Sequence, residues 1–89
     1  MAKKRRKLNR DFEKKIYSSK KNVELVLAKI YDIDDENIQK EYMSSFNGVV
    51  RLYDELNENY EQQGFSDNSE QLLINYNNAF SLFESEFEI

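Results

Sequence analysis

The chain has 89 residues, 39% of them hydrophobic and 34% charged, with two Gly and no Pro, Cys, His or Trp. That length accommodates one small domain, and the missing residue types exclude disulfide frameworks, thiol or imidazole catalysis, zinc fingers and iron–sulfur sites. The formal net charge of −4 is unevenly divided: residues 1–21 carry ten basic side chains against two acids, +8, while residues 22–89 carry three against fifteen, −12.

The N-terminal segment, residues 1–8, contains Lys3, Lys4, Arg5, Arg6 and Lys7 in succession. It reads as a basic arm, either disordered through mutual repulsion or a helical extension of the first helix. No apolar stretch comes after it as in a signal peptide, and no run approaches the ~18 apolar residues that cross a bilayer. The expectation is a soluble, cytoplasmic protein with no membrane partner.

Helix one is predicted from Asn9, a suitable N-cap, to Tyr31. Phe12, Ile16, Val23, Val26 and Ile30 recur at spacings of three and four, the signature of one buried helical face, with Ser19 in the single polar gap. Chain direction changes at Tyr31-Asp32-Ile33-Asp34. Helix two is predicted over 35–63, with Asp34 as N-cap, Asp35 and Glu36 in the favourable first turn, and Ile33 and Ile38 spaced as a hydrophobic staple. Its seam is Ile38, Tyr42, Phe46, Val49, Tyr53, Leu56 and Tyr60. Gly64 stops it, with Tyr60 and Phe65 placed for the apolar contact of a Schellman motif.

Helix three is predicted over 67–88 from a start near Ser66 or Asp67; Asp67 and Glu70 have capping-box spacing. Its seam is Leu73, Tyr76, Phe80, Phe83 and Phe87. Two short turns make consecutive helices antiparallel neighbours, so the fold class is all-α: an up-down-up three-helix bundle over 9–89 with a basic N-terminal arm. At 1.5 Å per residue helix two is about 43 Å long and its neighbours about 33–35 Å, so either Gly48 kinks helix two or something covers its overhang; a helix one begun at Lys3 would match it.

Lys3, Lys7, Arg10, Lys14 and Lys21 lie on one 3.5-residue stripe, with Tyr17 in the remaining slot and Lys4, Arg5 and Arg6 beside it. The stripe is about 200° from the helix-one seam and so faces outward. An outward row of cations around an aromatic suits phosphate contact with base stacking, or an acidic protein patch. The plain alternative is a solvated face. Asp54, Glu55, Glu58 and Glu61 near the end of helix two, and Glu84, Glu86 and Glu88 at the end of helix three, form two acidic clusters suited to a basic protein surface. Carboxylates at a helix C-terminus oppose its dipole, so local stability does not account for them; solubility is the plain alternative.

Asp32-x-Asp34-x-Glu36 is not a calcium loop: Asn37 occupies the glycine position and Met43 the position of the bidentate Glu. No catalytic, metal or cofactor motif is present, and no known family's motif covers the chain. Leu25, Leu27, Leu52 and Leu82 fall beside or off the strict seams, which widens the apolar faces or supplies a surface for a homodimer. The reading is a non-enzymatic regulatory protein. Its acidic bundle docks on a nucleic-acid-associated protein, and its basic arm touches nucleic acid or an acidic patch of the same complex. Inhibitors of defence nucleases have this character, and the Lys-, Asn-, Glu-, Ile- and Tyr-rich composition fits an AT-rich bacterial, phage or plasmid genome. Direct nucleic-acid binding through the stripe, or an assembly role, are the competing readings.

Overall fold

The computed structural model describes residues 2–87, with side chains from Arg10 to Phe87. Among them are three helices and no strand: α1 Ala2–Tyr31, α2 Glu36–Gln63 and α3 Asp67–Glu86. At 1.5 Å per residue these are about 45, 42 and 30 Å long, in a molecule extending 53 × 22 × 17 Å. α1 begins before Asn9, which therefore lies inside the helix instead of capping it. The side chains of Asn9 and of the basic segment Lys3, Lys4, Arg5, Arg6 and Lys7 lie outside the described residues, as does Glu88.

The apolar seams form the core. Phe12, Ile16, Val23, Val26 and Ile30 of α1, Phe46, Val49, Tyr53 and Leu56 of α2, and Leu73, Tyr76 and Phe83 of α3 are buried together, with Tyr42, Tyr60, Phe80 and Phe87 half-buried against them. Ile38 departs from its seam and is exposed. Of the off-seam leucines, Leu27 and Leu52 pack on the core, while Leu25 and Leu82 stand in solvent.

The core is chemically divided. α2 and α3 meet through rings: Tyr42 with Phe87 at 4.6 Å, Phe46 with Phe83 at 4.8 Å, and Tyr53 with Tyr76 at 6.1 Å between centroids. Residue numbers rise on α2 as they fall on α3. α1 contributes β-branched aliphatics and one ring, Phe12, which lies 5.4 Å from Tyr60 and 5.2 Å from Phe65. The rings of Tyr60 and Phe65 thus both pack on Phe12.

The helix ends correct three local expectations. Asp35, not Asp34, is the N-cap of α2, its extended backbone letting Oδ1 accept from the amides of Asn37 and Ile38. That shift moves Ile33 and Ile38 out of staple register. Gln39 links the two helices instead, its Nε2 donating at 3.2 Å to the carbonyl oxygens of Ile30 and Tyr31 at the C-terminal end of α1, where the Ile33 amide also donates to Ile30. At α3 the capping box is Ser66 with Ser69, not Asp67 with Glu70: Ser66 Oγ accepts from the Ser69 amide and Ser69 Oγ from the Ser66 amide. Ser69 is fully buried, a site a hydroxyl tolerates and a carboxylate does not. α3 ends at Glu86, with Phe87 as C-cap.

Ser19, the polar gap in the α1 seam, is buried and has two roles. Its hydroxyl donates to the Lys15 carbonyl at 2.8 Å, and its small size admits the buried Tyr76, whose phenol donates to the Ser19 carbonyl at 3.2 Å. Tyr76 therefore sends its hydroxyl inward to the α1 backbone. Burial pushes this phenol up to about 12, against a smaller opposing influence of Ser19.

Two outcomes follow for stability. Gly64 has φ 70° and ψ −157°, a region essentially reserved for glycine, whereas Gly48 is an exposed mid-helix residue with open space where a Cβ would stand. We expect Gly64→Ala to cost about 1–3 kcal/mol and Gly48→Ala to stabilise by about 0.5–1 kcal/mol, both read from urea denaturation. The second concerns pH. An unfolded tyrosine ionises near pH 10 and folded Tyr76 near 12, so between those values the unfolded state binds fewer protons and stability falls as pH rises. Over that window wild type should lose on the order of 2 kcal/mol more than Tyr76→Phe; parallel curves would refute the assignment.

Candidate interaction surface

Burial of the Phe12–Ile30 seam sets the rest of α1 outward. Arg10, Lys14, Tyr17 and Lys21 of the stripe are all exposed, as are Lys15 and Lys20 beside them. None of these cations forms an ion pair with a carboxylate among the described residues. Tyr17 is 59% exposed, and the Lys21 ammonium sits 5.1 Å from its ring centroid. An exposed cation–π contact of this kind is worth about 0.5–1 kcal/mol. It covers one ring face and leaves Tyr17 standing among cations.

The stripe borders a groove of about 780 Å³ between α1 and α2. Arg10, Lys14, Tyr17 and Lys20 line its α1 side, and Tyr53, Asn57 and Tyr60 its α2 side. Glu13 and Glu61 line it too, so the cationic face shades into an acidic one across the groove. Burial raises the Tyr60 phenol above its ordinary value, and the neighbouring Glu13 carboxylate, with which it hydrogen-bonds, raises it further. Tyr53 is raised by burial first and then by the charges of Asp54, Glu24 and Glu61. At neutral pH both phenols are protonated donors on the groove wall.

Of the acidic residues, Asp54, Glu55, Glu58 and Glu61 are exposed or half-exposed on the last third of α2, and Glu84 and Glu86 are exposed on the last turn of α3. The Tyr42–Phe87 contact sets the end of α3 beside the start of α2, so the two clusters stay apart. Glu61 receives a 3.4 Å hydrogen bond from Asn57 and faces the groove; Glu84 lines a second groove with Lys29.

The structure brings Arg10, Lys14, Tyr17 and Glu61 to one place although they come from groups of opposite sign. Sequence reading missed Glu13, Lys20, Tyr53, Asn57 and Tyr60 as members of that surface. Lys20, three residues from Tyr17, was the one signal available; the α2 wall depends on how two helices meet. No group of three or more ligating side chains that could hold a metal occurs among the described residues, and no helix among them is long and apolar enough to cross a membrane. What the surface offers is charge, donors and one accessible ring.

If these side chains are held for contact with a partner, they contribute little to folding. We expect Lys14→Ala to change the unfolding free energy by less than about 0.5 kcal/mol. Tyr17→Ala and Lys21→Ala should share a single loss of about 0.5–1 kcal/mol, non-additive in a double-mutant cycle. No family model matches the chain, nor does any curated protein or solved structure.

Proposed function

We propose that this chain is a non-catalytic interaction protein of the cytoplasm, an up-down-up bundle that modulates or inhibits a nucleic-acid-handling complex. The carboxylates of α2 and α3 dock on a basic protein surface, and the basic N-terminal segment with the α1 stripe contacts nucleic acid or an acidic patch of the same assembly. One observation carries the reading: Arg10, Lys14 and Lys21 on one helix, and Asp54 and Glu55 on another, are all exposed and free of ion pairs among the described residues. Exposed pairs would add little to the monomer, and left unpaired these charges remain available to others.

A second reading, direct binding of nucleic acid by α1, is favoured by one feature, the exposed ring of Tyr17 among Arg10, Lys14, Lys20 and Lys21. Stacking on such a ring beside cations that follow a backbone is the sequence-tolerant mode of single-strand binding.

Two measurements separate them. The tagged chain, and a variant with Lys3, Lys4, Arg5, Arg6 and Lys7 all changed to Glu, are used for affinity capture from the source organism with and without nuclease. We expect a defined protein partner that survives nuclease and is retained at least tenfold less by the variant; equal retention overturns the role of the basic segment. Separately, labelled single-stranded and duplex DNA and RNA are titrated at ~50 and ~200 mM salt. Direct binding predicts an affinity that falls by orders of magnitude across that range and weakens in Tyr17→Ala; no binding at the lower salt removes the second reading.

A further inference from the structure

We propose that the α1/α3 face binds a second copy of this chain, so that α1 and α3 of both copies form a four-helix bundle around a two-fold axis parallel to the helices. Self-association of this kind does not depend on the nucleic-acid-linked function. Of the three helix pairs, α1 and α3 approach each other least, although the Tyr76–Ser19 bond bridges them. The gap forms a furrow made of two successive cavities, of about 520 and 310 Å³, that share Asn22. On α1 the furrow runs from Lys14 to Lys29, about 22 Å. Leu73, Val26 and Phe80 form its floor, and two large apolar side chains at its lips, Leu25 (60% exposed) and Ile74 (46%), have solvent as their neighbour. A pair of helices with unfilled apolar positions along its length is half of a four-helix bundle.

The charges on the lips select the occupant and its orientation. Lys14 and Lys15 line the furrow at the same level as Glu70, and Lys29 at the same level as Glu84. The α1 lip is basic at both levels and the α3 lip acidic at both. No ion pair closes either level among the described residues. A two-fold axis along the helices lays each α1 against the other copy's α3 at equal height, bringing Lys14 and Lys15 to Glu70 and Lys29 to Glu84 across the interface. A two-fold axis across the helices would instead lay α1 against α1 and α3 against α3, opposing like charges at both levels. Only the first arrangement is self-complementary, and it buries Leu25 and Ile74 of both copies together. It also leaves Arg10, Tyr17 and the α2 wall of the α1/α2 groove on the outside, Lys14 lying between the two faces.

The test uses the full chain and two single variants, Lys29→Glu and Glu84→Lys, both at exposed positions where folding is preserved and verified by circular dichroism. Sedimentation equilibrium from about 10 to 500 μM covers the range of moderate self-association. We expect wild type to reach twice the 10.7 kDa chain mass, and each variant alone to dissociate at least tenfold more readily. An equimolar mixture of the two should recover wild-type association, because each mixed pair restores opposite charges at both contacts. Charge pairs within one chain cannot produce that recovery. Monomer mass for wild type throughout the range overturns the proposal; so does a dimer indifferent to both variants, or a mixture no tighter than its components.

Discussion

The Tyr76 phenol on the Ser19 carbonyl narrows the orientation of α1 that burial of its apolar seam sets, and with it the surface this protein displays. An aliphatic helix on an aromatic neighbour is free to roll, because dispersion contacts between smooth surfaces are individually small and poorly directional. A buried hydroxyl is directional. Left without an acceptor it costs several times what it yields when bonded, so the 3.2 Å bond to Ser19 admits only a narrow range of α1 rotations. Gln39, donating to the carbonyls of Ile30 and Tyr31, holds the C-terminal end of the helix. With its middle and that end tied, Phe12, Ile16, Val23, Val26 and Ile30 stay buried, and Arg10, Lys14, Tyr17 and Lys21 have only the outside left.

The division of the core explains why α1 needs such ties. α2 and α3 interlock through rings in tilted and edge-on contacts from Tyr42–Phe87 to Tyr53–Tyr76, geometry that orients as well as attracts. Gly64 is what lets that ladder close. Its positive-φ backbone turns the chain within three residues, Ser66 and Ser69 start α3 by bonding each other's amides, and Phe65 is left to cover Phe12 with Tyr60. Without cysteine or proline, rigidity here rests on packing and on these few directional contacts.

Most of this architecture was legible in the sequence because helical periodicity repeats. Every α1 seam residue from Phe12 to Ile30 is buried, and one mistaken position would not have broken the pattern. Caps do not repeat. At Asp34-Asp35 and Ser66-Asp67 two competent acceptors stand side by side, and the choice rests on backbone angles that composition does not encode; at α3 it falls on Ser66, whose backbone is extended and whose hydroxyl accepts from the Ser69 amide. Ser19 read as a gap because its partner is 57 residues away. The stripe was visible, but not the groove it borders: spacing within α1 says where Tyr17 and Lys20 point, and nothing in that spacing says that Tyr60 and Glu61 are opposite.

That groove also bears on why the charges persist unpaired. A lysine and a glutamate on facing helices gain little by joining, since an exposed pair sacrifices side-chain entropy for a Coulomb attraction that water and salt weaken. Arg10 and Lys14 can therefore share a groove with Glu13 and Glu61 at small cost, each remaining hydrated. Bringing a partner to such a surface changes the dielectric around every group at once, and attractions worth little in the free protein grow as water leaves. A face of mixed sign thus discriminates through arrangement: a partner whose charges alternate in step gains at every contact, and one of uniform charge is repelled at half of them. The separation of opposite signs that sequence alone suggested is therefore coarser than the pattern the fold creates, in which acids of α2 and α3 border cations of α1 along shared grooves.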